Sequence, residues 1–250
     1  MLKDCTTLIG VDPAHLQEAS WCLPMLRKNR PELWGLPMLV LCDACQSVDW
    51  WQRQFAQFSD HPDCRFVPVP PVEGATQRHR MLSAFIYVAL PHLSTKWWLK
   101  VDTDVGALQN VPGWAPDEWF DDAKDFQFLA SPWGYTRPPE LHYALMEWAK
   151  TVPEFAGAPE PEWVLNVEKQ RVWFPKGRII SYVCFGRTSY LKGLSALAPG
   201  PLMPTASQDG FLWYVAARLG LPYARPHMNK FGFGHRGRKM HRWFIEVMGK

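Results

Sequence analysis

Two kinds of apolar block alternate along the N-terminal part of the chain. Thr6–Gly10 (TTLIG), Pro37–Cys42 (PMLVLC), Cys64–Val69 (CRFVPV) and Trp97–Val101 (WWLKV) are short, nearly unbroken apolar runs of strand length. Between them, Ala14 to Arg27, Asp49 to Phe58 and Gln77 to Leu93 carry apolar residues at helical spacing; Met81, Phe85, Val88 and Ala89 mark the buried stripe of the last. Asp12-Pro13 supplies an acid and a proline where the first of these helices should start. The order predicted is β-α-β-α-β-α-β. Strands that are apolar throughout suit a sheet covered on both faces, and strict alternation with helices implies parallel strands joined by helical crossovers. Ligands of such sheets sit beyond the carboxyl ends of the strands. Asp12, Asp43, Asp102 and Asp104 all follow predicted strand ends, so they are expected to meet on one rim.

The second half is less regular. Phe126–Ala130 and Arg178–Phe185 read as strands, His142 to Lys150 and Gly210 to Leu219 as helices, and Leu221–Ala224 as a last short strand. Val152 to Pro161, with its prolines and glutamates, reads as a surface loop. No repeat or linker divides the 250 residues, which are enough for one large domain. The expected organisation is a single domain, 1–250, with a ligand-binding half (1–105) and a second half (106–250) ending in a basic loop.

The composition, 47% hydrophobic and 20% charged, is that of an ordinary globular protein, and a formal charge of +3 excludes a polycation. The charge is uneven, however. From Pro226 to Lys250, Lys230, Arg236, Arg238, Lys239, Arg242 and Lys250 stand against Glu246 alone. A basic end of this kind suits a phosphate-bearing ligand, a nucleic acid or a membrane surface. The six cysteines form no disulfide or zinc framework, because the Cys42-x-x-Cys45 pair has no second pair. No secretory or membrane-spanning stretch is seen, and the expected setting is reducing and cytoplasmic.

The segment WWLKVDTDVGAL carries the sharpest chemistry. In an extended chain, residues two apart point to one side, so Asp102 and Asp104 repel each other unless something lies between them. Their oxygens are hard donors suited to Mn²⁺ or Mg²⁺, and one cation shared by both would leave coordination positions for a diphosphate.

This segment resembles the D-x-D motif of the glycosyltransferases of GT-A fold, which transfer a sugar from a nucleotide-sugar. The order of elements is similar too: nucleotide-binding β/α units, D-x-D, the strand-glycine-helix segment CFGRTSYLKGL, an acid opening a helix at Gln208-Asp209, and the late glycine-rich histidine loop FGFGHRGR. The resemblance implies a Rossmann-like α/β fold with a mostly parallel central sheet flanked by helices. It implies a metal-dependent hexosyltransferase that takes a UDP- or GDP-sugar and an acceptor hydroxyl on a glycan, a small molecule or a nucleic acid. Asp104 resembles the direct metal ligand, Asp102 the acid near ribose and metal, and His235 or His227 the third ligand. Val11, Asp12 and Asp43 resemble nucleotide contacts, and Arg78 and Arg80 resemble ribose or phosphate contacts. Arg236, Arg238 and Lys239 would close on the phosphates. Asp209 resembles the acid near the acceptor or the reacting sugar, with Trp133, Tyr135 and Gly186 on the acceptor side. Two rival readings are a phosphatase of haloacid-dehalogenase type, in which Asp102 would be a nucleophile, and a nucleic-acid-binding protein using the basic aromatic end.

Overall fold

The structure is a computed structural model. It describes residues 4–56, 60–107, 125–132, 138–174, 177, 179–227 and 232–235, with His235 described by its backbone alone.

The N-terminal alternation is present as expected. Strand β1 (Cys5–Val11) leads through a short 3₁₀ turn into α1 (Leu16–Asn29) and α2 (Pro31–Trp34). Strand β2 (Met38–Asp43), α3 (Val48–Gln54), β3 (Cys64–Val69), α4 (Gln77–Tyr87) and β4 (Trp97–Val101) follow. Ser47 and Thr76 start α3 and α4 by accepting from the backbone N–H groups of Trp50 and His79, each at 3.2 Å. Helix α4 stops at Tyr87, earlier than the apolar spacing predicts. Pro91 has no N–H to return to the Tyr87 carbonyl, so the chain passes into a 3₁₀ turn at Leu90–His92.

Beyond β4 come β5 (Val105–Ala107), β6 (Phe128–Pro132), α5 (Pro139–Ala149), the hairpin β7 (Val164–Asn166) and β8 (Arg171–Trp173), β9 (Ile179–Arg187), α6 (Thr188–Leu197), α7 (Gln208–Arg218) and β10 (Phe233–His235). The central sheet has the order β3-β2-β1-β4-β9-β6. Its β1–β2, β2–β3 and β1–β4 pairs are parallel, and β9 runs antiparallel to both β4 and β6. One sheet therefore joins the two halves of the chain.

Every residue of β2 and β4 is buried, because both faces of the sheet are covered. Ile9, Val11, Met38 and Val40 pack with the α1–α3 side. Leu8, Leu39 and Leu41 face the opposite way, toward Met81, Phe85, Leu191 and Phe211. The second half corrects two expectations. Leu221–Ala224 is not a strand but makes a single parallel bridge, Ala224 to Leu129. The Val152 to Pro161 stretch is not wholly surface, since it folds a 3₁₀ turn that buries Phe155.

Gly186 sits mid-strand on β9, opposite Trp98 on β4. A Cβ there would lie 2.5 Å from the Trp98 ring and 3.1 Å from the Gln127 carbonyl. Gly186→Ala is expected to lower stability by about 1–3 kcal/mol, the cost of overpacking a filled core; denaturant unfolding checks it, and an unchanged midpoint would contradict the packing.

A candidate active site at the strand ends

The carboxyl ends of β1 and β4 open into a cavity of about 730 Å³, within the usual size of a small-molecule site of about 300–1,000 Å³. Asp12 and His15 line it from the end of β1, Arg78 from the first turn of α4, Asp102 and Asp104 from the end of β4, and Asp209 from α7. Three elements distant in sequence thus bring carboxylates to one space; of the four acids expected at the strand ends, Asp12, Asp102 and Asp104 line it and Asp43 does not.

Asp102 does not stand there alone. Lys100, two residues earlier on β4, is 1% exposed and forms an ion pair with it. The Lys100 ammonium also donates to the Ser181 carbonyl at 2.7 Å and lies 5.0 Å from the centre of the Phe85 ring. Burial pushes the Asp102 carboxyl up; Lys100 opposes this, while Asp104 and Asp209 push the same way as burial. Neighbouring carboxylates that push Asp102 up across a cavity fit a bound dication, which would relieve that repulsion. The donor set is hard oxygen. No cluster of three His, Cys, Asp or Glu side chains suited to a metal occurs among the described residues.

His15 reports on the same field. A hydrogen bond donated by His15 Nδ1 to the Asp12 carboxylate, at 3.0 Å, raises the histidine's pKa; burial works against this, and the charges of Asp12, Asp104 and Glu18 add to the rise. Its titration by NMR is expected above the ordinary histidine value and should fall in Asp12→Asn; a midpoint unmoved by that substitution would contradict the pairing.

Asp209 occupies the first turn of α7 but does not cap it. Ser207 does, accepting from the Gly210 N–H at 3.3 Å. The Asp209 side chain is turned to β9 instead, where its Oδ1 accepts from the Ser181 N–H at 2.8 Å and from the Ser181 hydroxyl.

Asp43 and Arg80 are brought together, but not at the cavity. The Asp43 carboxylate is 0% exposed and accepts from Arg80 at 2.8 and 2.9 Å, from Gln77 at 2.7 Å and from the Cys45 N–H at 3.0 Å. Burial pushes its pKa up, but the Gln77, Cys45 and Arg80 donors together outweigh this and hold it below the ordinary value. It therefore ties β2 to α4 rather than facing a ligand. A carboxylate with a lowered folded pKa stabilises fully above its unfolded pKa and loses that contribution as pH falls through the folded value. Asp43→Asn is expected to cost roughly 3–5 kcal/mol at neutral pH by leaving a buried guanidinium unmatched, and to lose less stability than wild type on acidification. Equal losses in acid would contradict this.

The Val11 side chain is in the core, so only the Asp12 half of that corner reaches the cavity. Gly186 is a packing position against Trp98 and does not line the cavity. His227 is exposed. The backbone of His235 pairs with Val105, the residue after Asp104, which sets the late histidine segment beside the D-x-D. Trp133, Tyr135, Arg236, Arg238 and Lys239 lie outside the described residues, and with them most of the basic aromatic end on which nucleic-acid binding would rest. Sequence reasoning missed Lys100, His15, Ser181 and the Arg171 that lines the cavity from β8. Only Lys100 carried a signal, as a lone charge inside an otherwise apolar strand.

Solved structures decide the fold. Core-mannan synthase A from Aspergillus fumigatus, in its Mn/GDP form, superposes with a TM-score of 0.59 over 94% of this chain and 75% of its own, at 12% identity. The mannosyltransferase Ktr4p from S. cerevisiae superposes at 0.62 over 94% of this chain and 70% of its own, at 12% identity, and at 0.61 with 13% identity in its complex with GDP. The chain has the GT-A fold. No protein-family profile and no curated protein sequence matches it. At these identities the likeness speaks to the fold, and the chemistry rests on the cavity. Among the described residues, no helix is long and apolar enough to cross a membrane.

Proposed function

We propose that the protein is a metal-dependent glycosyltransferase that moves a hexose from a nucleoside-diphosphate donor to an acceptor hydroxyl. The observation that carries this reading is the meeting of Asp102, Asp104 and Asp209 around one strand-end cavity of a GT-A fold. Because two of the similar structures hold GDP, a GDP-hexose is the first donor to test and a UDP-hexose the second.

Asp104 would hold Mn²⁺ or Mg²⁺, with Asp102 and the imidazole of His235 completing the protein's share. When bound, the ion supplies Lewis-acid stabilisation of the negative charge that builds on the leaving diphosphate. The chain's own groups do the rest. Arg78, in the first turn of α4, faces the cavity beside the positive end of that helix, a setting that favours phosphate. His235 is followed directly by the basic run Arg236, Arg238 and Lys239, which would add fixed positive charge at the same rim. On the other side, the Asp209 carboxylate takes the proton from the acceptor hydroxyl as it attacks the anomeric carbon. A single attack from the face opposite the leaving group inverts that centre. Trp133 and Tyr135, just after β6, would stack on the acceptor.

The test is incubation with a panel of GDP- and UDP-hexoses and Mn²⁺, following release of the nucleoside diphosphate and the anomeric form of the product by NMR. Metal-dependent release with one base, and an inverted product, is expected. No release from any donor would contradict the reading.

A further inference from the structure

Strands β6 and β9 do not keep step. Ala130 pairs with Cys184, but the next residue, Ser131, pairs with Ile180. The ladder with β6 therefore passes over Ser181, Tyr182 and Val183. A bulge of this kind releases backbone polar groups from the sheet, and buried ones must find partners elsewhere.

Those partners belong to the site. Ser181 is 2% exposed, and its N–H and hydroxyl both go to Asp209 Oδ1, the former at 2.8 Å. Its carbonyl accepts from the buried ammonium of Lys100 at 2.7 Å. The Tyr182 carbonyl accepts from the Asp102 N–H at 2.8 Å, and the Tyr182 hydroxyl bonds to Ser131 Oγ at 2.9 Å. One irregular stretch of strand thus holds the acceptor-side acid on one flank and the D-x-D backbone on the other. Lys100 locks it from beneath through Ser181 and Asp102. Two donors converging on Oδ1 hold that oxygen of the Asp209 carboxylate in place.

We infer that Ser181 is a positioning residue for Asp209, and that the bulge exists to set the carboxylate's angle relative to the D-x-D. The inference rests on the reading of Asp209 as the acceptor-side base. An error of about 1 Å in such a group can cost on the order of 10²-fold in rate, so the hydroxyl should matter out of proportion to its contribution to folding.

Ser181→Ala removes the hydroxyl and keeps the backbone donor, and Ser181→Thr keeps both. The readout is Mn²⁺-dependent release of nucleoside diphosphate, with kcat and the donor KM measured separately, in wild-type and Asp209→Asn backgrounds. Ser181→Ala is expected to lower kcat by roughly 10- to 100-fold with the donor KM held within about twofold. Ser181→Thr should recover most of the loss. In the Asp209→Asn background, Ser181→Ala should add little, since groups that act as a unit are not additive. A wild-type kcat in Ser181→Ala would overturn the inference and leave the transferase reading intact. So would an equal fractional loss in both backgrounds, the pattern of a merely structural residue. A wild-type protein with no Mn²⁺-dependent release would sink the reading of Asp209 and this inference with it.

Discussion

Asp209→Asn is expected to lower turnover by about 10²- to 10⁴-fold, the usual contribution of a general base, while donor binding changes little. The expectation follows from where Asp209 stands. It faces the cavity from α7, on a different element from the D-x-D, and its orientation is held by Ser181 rather than by its own helix, which Ser207 caps. Asn preserves shape but cannot take a proton. Because Ser207 carries the capping role, the substitution should leave α7 and the melting temperature nearly unchanged. A loss of activity accompanied by a matching loss of stability would mean that Asp209 holds the fold and not the acceptor.

Asp104→Ala is expected to act at the other end of the reaction. Asp102 already has a cation, Lys100, at its side. Asp104 should therefore carry the larger share of any added dication. Removing it is expected to weaken Mn²⁺-dependent nucleotide binding by at least about 100-fold, beyond the 10- to 100-fold typical of groups one shell further out. Calorimetric titration of GDP in the presence of Mn²⁺ measures this. The same experiment on Asp102→Asn should show a smaller loss in metal binding, because part of what is removed there was spent on Lys100. Equal losses at both positions would contradict this division of labour.

The parts of the fold that could be read in advance are the short apolar runs with clear ends. Strands β3 and β4 match the expected Cys64–Val69 and Trp97–Val101 to the residue. Pro70 breaks the first run and Asp102 the second. The placement of Asp102, Asp104 and Asp209 around one cavity follows from their position immediately after or before strong elements. Short pieces were not legible. β5 and β10 are three residues each, and their pairing depends on contact between distant segments rather than on any local pattern. The β7–β8 hairpin leaves Val164, Leu165 and Trp173 exposed, which defeats an inside-outside reading. Asp43 was misread because a buried acid with three internal donors looks, in sequence, the same as one awaiting a ligand. Lys100 was passed over because lysine is almost never fully buried unless paired, and its partners, Asp102 and Ser181, are known only once β4 and β9 are seen side by side.

The central claim is that a nucleoside diphosphate and a divalent cation bind this cavity together. The most direct measurement is thermal melting of the wild-type protein with GDP and then UDP, each with and without Mn²⁺. Ligand at about 100 times its dissociation constant should stabilise by roughly 2.7 kcal/mol. A clear rise in melting temperature with one nucleotide, present only when Mn²⁺ is added, is the predicted result. A melting temperature that ignores both nucleotides in the presence of the metal would contradict the claim.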